Sequence, residues 1–512
     1  MGPTGRGSTS RRSAGYGSAS HGSASPRICL SLTAESLERD LEVLKRYRSL
    51  VDLVELRADL LRPEELPGLG RFPRRAGLPV ILTVRRERDG GRWRASERER
   101  SRCLESALKG GYAYVDLEED LTDQALAESV RLSGGTVIRS FHDLHAVPED
   151  LVARVRSLAR HPSELPKAAV TPQDTRHLVA LAQACRQLEG RPRILLGMGE
   201  RGLFSRVLAG RLGSELTYCS APELSPAAPG HLDPRQLVEL YRFRSLDRDT
   251  LVCGVIGRPI AHSRSPEIHN RGYAAAGLNA VYLPFLVDQV EAFFTLAELL
   301  GIRGLSVTMP FKRSVIPFLK DRDPRIAEIE ACNTMVRGTE GWYGTNTDVE
   351  GFLDPLRRYA PEVLAVRTPA AVLGAGGAAR SVVYALRQAG LPTLVLNRTP
   401  AKAAALAERF GCSWGGLDDT GLSRLQQFSG LIVQATGAGM EPQAGIDPLP
   451  GYRFRGNEVL YELIYEPAET PIMARAMKAG CRVISGFSML LAQARYQFRL
   501  HTGRDYPEGL YD

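Results

Sequence analysis

Lys167 stands inside PKAAV (166–170), a strand-like run that is otherwise apolar. A lysine in such a place costs stability unless it is paired or neutral. Desolvated and ringed by other cations, an amine loses its proton more readily and becomes a nucleophile toward carbonyls. His142 ends the preceding run, TVIRSFHD (136–143), and as a lateral neighbour could move protons for an imine. Glu55, Arg57, Arg85 and Arg206 fall at the ends of comparable runs, and three arginines at one rim suit a carboxylate held bidentately. Position alone leaves equal room for a lysine that points outward and snorkels beside a helix, and a lone histidine is more often structural.

The second half offers another chemistry. Lys312 and Asp348 form a lysine–carboxylate set of the kind that delivers a proton to the alkoxide forming when a ketone takes up hydride. From spacing alone the pair is equally a surface ion pair. AAVLGAGGAARSVVYALRQAG (370–390) runs a strand into Gly374-x-Gly376-x-x-Ala379 and then a helix, the context in which the glycine motif cradles a dinucleotide pyrophosphate. The next strand, LPTLVLNRT (391–399), ends in Asn397, Arg398 and Thr399, with Lys402 close behind. Two cations and no carboxylate at that point predict NADP(H) in preference to NAD(H).

These residues need elements to hold them. Eight β-rich runs lie between residues 27 and 220: RICLSL (27–32), LVELRAD (53–59), PVILTVRR (79–86), YVDLE (114–118), TVIRSFHD, PKAAVTP (166–172), RILLGMG (193–199) and ELTYC (215–219). Helical periodicity fills the gaps, as in AESLERDLEVLKRY (34–47). Eight βα repeats at this spacing predict a (β/α)8 barrel, in which polar residues at strand C-termini face the open, catalytic end. The polar run RSLDRD (244–249) precedes a new apolar strand and predicts a boundary near residues 243–250.

The chain has 512 residues, 43% hydrophobic and 24% charged, which excludes a disordered polymer and predicts about three domains. No stretch approaches the roughly 20 apolar residues of a bilayer span, so no membrane partner is expected. Eight scattered cysteines without a C-x-x-C pair imply reduced thiols in the cytoplasm, and no His/Cys spacing points to a metal. Residues 1–27 hold seven Ser, six Gly, four Arg and no acid, which predicts a disordered tail. That tail supplies four of the eight net positive charges. The remaining excess is assigned to small anionic ligands, because no clustered basic face for nucleic acid occurs outside it.

With these residues in view, the first half resembles the type I 3-dehydroquinate dehydratases. The matching pieces are ELRAD (55–59), TVRRERDGG (83–91), SFHD (140–143), PKAAV, GMGERGLFSR (197–206) and AAPGHL (227–232). The resemblance implies a Schiff base on Lys167, His142 as general acid and base, and Glu55, Arg57, Arg85 and Arg206 on the substrate. Asp89 stands where the family usually has a Glu that orients the histidine. Ala227 and His231 replace the Ser and Gln of its closing S-A-P-G-Q segment, so weaker affinity or turnover is expected.

The second half resembles the shikimate dehydrogenases through GVIGRPIAHSRSPEIHN (254–270), GLSVTMPFK (304–312), ACNTM (331–335), GTNTDVEGF (344–352), QATGAGM (434–440) and GFSMLLAQA (486–494). That resemblance implies Lys312 and Asp348 as the catalytic pair. It implies substrate contacts from Ser263, Ser265, Thr308, Asn333, Asp348, Tyr465 and Gln493, and cofactor contacts from Gly374, Ala375, Gly376, Gly377, Ala378, Asn397, Arg398, Thr399, Lys402 and Gly486. Ser306 replaces the usual Asn of an N-V-T motif, and Glu462 a usual Asp.

The expected architecture is a tail (1–26), a dehydratase barrel (27–243), a substrate domain (250–360) completed by C-terminal helices (486–512), and a Rossmann NADP domain (366–485). The two resemblances chain into one reading: a bifunctional shikimate-pathway enzyme that dehydrates 3-dehydroquinate and reduces the 3-dehydroshikimate formed to shikimate. Against it stand a non-catalytic regulator, which should have lost Lys167, Lys312 or Asp348, and an enzyme of the same fold acting on quinate or doing aldol chemistry. The sequence does not define the oligomeric state.

Overall fold

The computed structural model describes residues 26–121 and 123–511; the predicted tail lies outside them. Eight parallel strands come first: β1 (Arg27–Leu32), β2 (Leu53–Arg57), β3 (Val80–Thr83), β4 (Tyr114–Glu118), β5 (Thr136–Asp143), β6 (Leu165–Val170), β7 (Ile194–Gly197) and β8 (Leu216–Ser220). Their order is β7-β6-β5-β4-β3-β2-β1-β8, so β8 pairs with β1. Between β7 and β8 no ladder forms; Glu215 N donates to Arg193 O at 2.8 Å and closes the seam at its base. This is the predicted barrel, with strand ends trimmed: Arg85 lies beyond β3 and Arg206 in the helix Leu203–Val207.

Strand alternation sorts the barrel interior into layers. Cys29, Leu53, Ile81, Ile138, Leu165, Ile194 and Leu216 make an apolar floor. Two residues further along six of these strands stand Ser31, Glu55, Thr83, Ser140, Lys167 and Tyr218, all buried. Asp116, from β4, joins that layer. The polar layer therefore sits toward the strand C-termini, where the barrel opens.

The second sheet takes β9 (Leu251–Gly257), β10 (Ala280–Leu286), β11 (Ile302–Val307), β12 (Leu319–Arg322), β13 (Thr334–Arg337) and β14 (Trp342–Thr345), ordered β10-β9-β11-β13-β14-β12. It is mixed, β13 running antiparallel to both neighbours. The third sheet is wholly parallel: β15 (Ala370–Leu373), β16 (Thr393–Asn397), β17 (Ser413–Gly416), β18 (Leu431–Gln434), β19 (Val459–Glu462) and β20 (Arg482–Ile484), ordered β17-β16-β15-β18-β19-β20. That is the doubly wound dinucleotide order, whose crevice opens beside its first strand, β15. The chain then returns to the second sheet through one helix, Gly486–Thr502, against the helices Asp348–Tyr359 and Ser265–Ala275. The sequence predicts several helices there; past Gly503, which takes a left-handed φ of 72°, the chain leaves helical geometry.

One apolar cluster runs unbroken from the barrel into the second sheet. The helix Thr175–Gln187 of the barrel packs on the helix Val290–Leu299. The polar run read near residues 243–250 is tied to both sides, Arg244 to Asp52 at 2.9 Å and Asp247 to Asn279 at 2.8 Å.

Asp40 lies on the buried face of the helix Leu37–Tyr47 with Leu37, Val43, Leu44 and Tyr47. It accepts only the Ala34 amide, at 3.0 Å, and burial raises its carboxyl to about 7. A carboxyl raised in the fold takes more protons folded than unfolded, so its stability contribution falls as pH climbs from its unfolded value toward 7. Asp40→Asn should therefore gain on the native chain by up to about 4 kcal/mol between about pH 4 and pH 8. Urea midpoints across that range test it; a pH-independent difference refutes it.

Candidate active sites

Lys167 points into the barrel, not outward. Its Nζ donates to Asp116 Oδ2 at 2.9 Å, lies 3.7 Å from Glu55 Oε1, and sits 4.6 Å over the Tyr218 ring. The expected ring of cations is replaced at first contact by carboxylates, because burying an unpaired ammonium would cost far more than burying a paired one. Ser140 is the residue directly across the ladder from Lys167; His142 sits one step higher on the same face of β5. Burial, then Arg85 and Lys167, hold the His142 imidazole well below its ordinary range, and its Nδ1 is buried without a protein partner. A neutral imidazole is the form that can take a proton.

The three arginines divide by their partners. Arg57 makes a two-point contact with Asp59 at 2.9 and 2.8 Å, and Arg85 is held by Asp116 at 2.9 Å and Glu118 at 2.8 Å. Against the burial that would raise it, Arg85 and Lys167 hold the Asp116 carboxyl well below the usual range. Arg206 has no carboxylate partner among the described residues. Its Nη1 reaches Tyr218 O at 3.5 Å, its Nε is unpartnered, and burial lowers it to about 10. Arg57 and Arg85 thus each have an internal carboxylate partner, and Arg206 has none among the described residues.

The departures have visible consequences. Asp89 accepts from Arg86 Nε at 2.6 Å, and no bond joins it to His142. His231 comes over the barrel mouth with Nδ1 2.5 Å from Ser220 Oγ. Ala227, with no side-chain oxygen, leaves the segment to backbone contacts, among them Gly199 N to Pro229 O at 2.9 Å.

In the second site, Lys312 Nζ is 2.5 Å from Asp348 Oδ2, and Asp348 Oδ1 accepts from Asn333 Nδ2 at 2.7 Å. Asn333 Nδ2 also reaches Gln493 Oε1 at 3.0 Å, from the C-terminal helix. Ser263, Thr308 and Tyr465 lie on the loops after β9, β11 and β19, and Ser265 is the first residue of the helix Ser265–Ala275. Ser265 N donates to Ser263 Oγ at 3.3 Å, and burial raises the Tyr465 phenol even as it hydrogen-bonds Ser263. Ser306 is bonded by Tyr282 Oη at 2.5 Å and donates to Gln497 Oε1 at 2.7 Å, so the hydroxyl in place of the usual amide is tied into the core. Glu462 accepts from Ile464 N and Thr470 Oγ1, and burial raises it to about 7.

A Cβ placed on Gly377 would lie 3.3 Å from Lys312 Cδ, so the lysine stem runs along the Gly374–Gly377 turn. Gly374 there takes a φ of 112°, which favours glycine, and a Cβ at Gly376 would meet nothing within 4 Å. Ala375 belongs to that turn and Ala378 to the first turn of the helix Gly377–Gln388, which opens with amides free for an anion. Arg398 and Lys402 are exposed with no ion-pair partner among the described residues, flanking the start of the helix Pro400–Phe410; Asn397 donates to Thr399 O at 3.0 Å. Open space over the turn and two uncompensated cations fit a dinucleotide carrying a 2′-phosphate. Gly486 meets the Leu463 backbone, where a Cβ would lie 2.4 Å from O, so close packing accounts for that glycine.

Several contributors escaped the sequence reading: Asp116, Glu118, Asp59, Thr347 and Gln497. Asp116 and Glu118 alternate in the otherwise apolar strand YVDLE, the same signal that singled out Lys167. Gln497 stands one helical turn beyond Gln493 and donates to its Oε1 at 3.0 Å.

An imine-forming barrel joined to a lysine–carboxylate reductase site beside a dinucleotide turn defines a two-site lyase and oxidoreductase. The type I 3-dehydroquinase model matches residues 28–248, and the shikimate dehydrogenase substrate-binding domain model matches residues 255–335. The chloroplastic bifunctional 3-dehydroquinate dehydratase/shikimate dehydrogenase of Arabidopsis thaliana is 30% identical over 510 residues, covering 94% of this chain and 83% of that one. A shikimate dehydrogenase (NADP(+)) of Moorella thermoacetica is 42% identical over 275 residues, 51% of this chain and 92% of its own. The dehydroquinate dehydratase and shikimate dehydrogenase structure from S. pombe AroM is 25% identical with a TM-score of 0.43, covering 94% and 97%. The chain belongs to the bifunctional 3-dehydroquinate dehydratase/shikimate dehydrogenase family.

His142 should still be neutral at about pH 6.5, where a free imidazole is half protonated, because burial and the nearby Arg85 and Lys167 disfavour its cation. Its ring nitrogen NMR shifts, read against a His142→Gln variant, test this; a titration midpoint near 6.5 refutes it.

Proposed function

We propose that Lys167 and His142 carry the dehydration of 3-dehydroquinate, and that Lys312 and Asp348 carry the reduction of 3-dehydroshikimate to shikimate. The observation that supports the first assignment best is the buried lysine beside a carboxylate and a neutral imidazole. His142 takes the proton that frees the Lys167 amine to attack the ketone and returns it to the carbinolamine hydroxyl, which leaves as water as the iminium forms, with Asp116 beside the cation. His142 takes the α-proton, and the electron pair moves into the iminium as an enamine. The pair then returns, expelling the β-hydroxyl, which leaves as water with the proton His142 returns. Hydrolysis of the imine releases 3-dehydroshikimate and restores the amine. Arg206, the arginine without an internal carboxylate, holds the substrate carboxylate, while Arg57, Arg85 and Glu55 shape the rim.

For the second step, Ser263, Ser265, Thr308, Asn333, Tyr465 and Gln493 would pair the hydroxyls and carboxylate of the polyhydroxy acid. Lys312 donates a proton to the forming alkoxide, and Asp348, itself oriented by Asn333, holds the ammonium in place. NADPH supplies the hydride when bound. Gly374, Ala375, Gly376, Gly377 and Ala378 would hold its pyrophosphate, and Arg398 and Lys402 its 2′-phosphate, with Asn397 and Thr399 bordering them and Gly486 letting the C-terminal helix close on the site.

We assign residues 27–243 to the dehydratase, 250–360 with 486–512 to the substrate domain, and 366–485 to the NADP domain. The ligands are small molecules, and nucleic acid has no part in this reading. No helix among the described residues is long and apolar enough to cross a membrane. A cytoplasmic location is supported by eight free cysteines, which suit a reducing compartment.

A coupled assay with 3-dehydroquinate and NADPH should give shikimate. Borohydride added with 3-dehydroquinate should trap a covalent adduct on Lys167. Lys167→Ala should remove dehydratase turnover and leave dehydrogenase rates intact, and Asp348→Asn the reverse; loss of both activities in either variant refutes the division. Arg206→Met should raise the dehydratase KM about a hundredfold with a smaller change in kcat. Arg398→Ala with Lys402→Ala should raise the KM for NADPH about tenfold or more and leave that for NADH nearly unchanged; equal effects on both cofactors refute the 2′-phosphate assignment.

A further inference from the structure

Asp288 follows β10 in the second sheet, yet its side chain bonds the barrel. Its Oδ1 accepts from Thr175 N at 3.1 Å and Thr175 Oγ1 at 2.6 Å; its Oδ2 accepts from Arg201 Nη2 at 2.9 Å. Thr175 Oγ1 in turn accepts from Asp288 N at 3.1 Å, and Arg201 Nη1 donates to Leu286 O at 2.7 Å. Thr175 opens the helix after β6, the strand of Lys167, while Arg201 lies in the turn after β7. One carboxylate from the dehydrogenase half therefore grips two adjacent loops on the catalytic face of the barrel.

The turn it grips is tightly built. Gly197 N donates to Ser205 Oγ at 2.8 Å, Ser205 Oγ donates to Gly202 O at 2.7 Å, and Arg206 follows directly. On its other side the turn seats the closing segment: Gly199 N donates to Pro229 O at 2.9 Å, and a Cβ on Gly230 would lie 2.3 Å from Gly199 O. The turn has little freedom to shift without moving Arg206 and the segment bearing His231. Ala227 gives that segment no hydroxyl of its own, so the backbone seat on Gly199 carries more of its placement.

We propose that Asp288 is a positioning residue for the dehydratase site, acting through Arg201 and Thr175 to hold the turn that places Arg206 and seats the closing segment. This rests on the dehydratase reading of the barrel. A dehydratase of this construction works at full affinity only with the dehydrogenase half docked upon it.

The test uses the full chain, with Asp288→Ala, Asp288→Asn and Arg201→Ala. Each should raise the dehydratase KM for 3-dehydroquinate about tenfold, with kcat within about twofold, since charged hydrogen bonds that orient binding groups are lost and the reacting groups are untouched. Asp288→Glu should recover part of the loss. Dehydrogenase constants with 3-dehydroshikimate and NADPH should stay within about twofold, because the Asp288 carboxylate bonds barrel residues. A dehydratase KM indifferent to all three variants overturns the proposal, and so does a parallel fall of both activities with a lowered melting temperature, the mark of general unfolding. A native chain without dehydratase turnover would overturn the activity reading first and the clamp with it; a normal native turnover unmoved by Asp288→Ala overturns the clamp alone.

Discussion

Charge buried inside a closed sheet has to be answered by charge, and the first half of the molecule is organised around that requirement. Lys167, Asp116, Arg85 and Glu118 form a continuous set of ion pairs with side chains almost wholly out of water. Asp116 and Glu118 each touch two cations, Glu118 through Arg85 and Arg100, so removing one member unbalances the set by one charge in a low-dielectric interior. The same set explains the division of labour among the arginines. Those already balanced fix the walls, while Arg206 is buried without a carboxylate partner among the described residues. The fold does not need a substrate to satisfy itself, but it keeps one positive charge waiting.

The second site meets the same constraint in looser form. Asp348 is buried while Lys312 keeps a little exposure, and the amide of Asn333 completes the carboxylate. Their reach is set by three elements far apart in sequence: the loop after β11, the start of the helix Asp348–Tyr359, and the C-terminal helix through Gln493. Because the lysine stem lies along the Gly374–Gly377 turn, Lys312 and the glycine turn share one wall.

Much of this was legible from the chain. Short β-rich runs separated by helical stretches predicted all eight barrel strands, and the glycine turn with its following cations pointed to a dinucleotide. What stayed hidden was pairing. Nothing in the run holding Arg85 reveals the carboxylates on the neighbouring strand, and Asp116 and Glu118 were in plain sight in YVDLE but had no claimant. His142 was read as the direct neighbour of Lys167, whereas the ladder register, a property of two strands together, puts Ser140 there. The single C-terminal helix and the buried junction between the halves were likewise beyond reach, one decided by a glycine at position 503 and the other by helix faces that meet only in space.

The apolar cluster that passes without a break from barrel to second sheet has a meaning for the history of such a chain. Two enzymes joined merely by a linker can drift apart, each tolerating changes the other never feels. Here the helices Thr175–Gln187 and Val290–Leu299 must keep complementary shapes, so a substitution in one half is judged by its fit to the other. The fusion has become hereditary in the literal sense: the halves are obliged to change together.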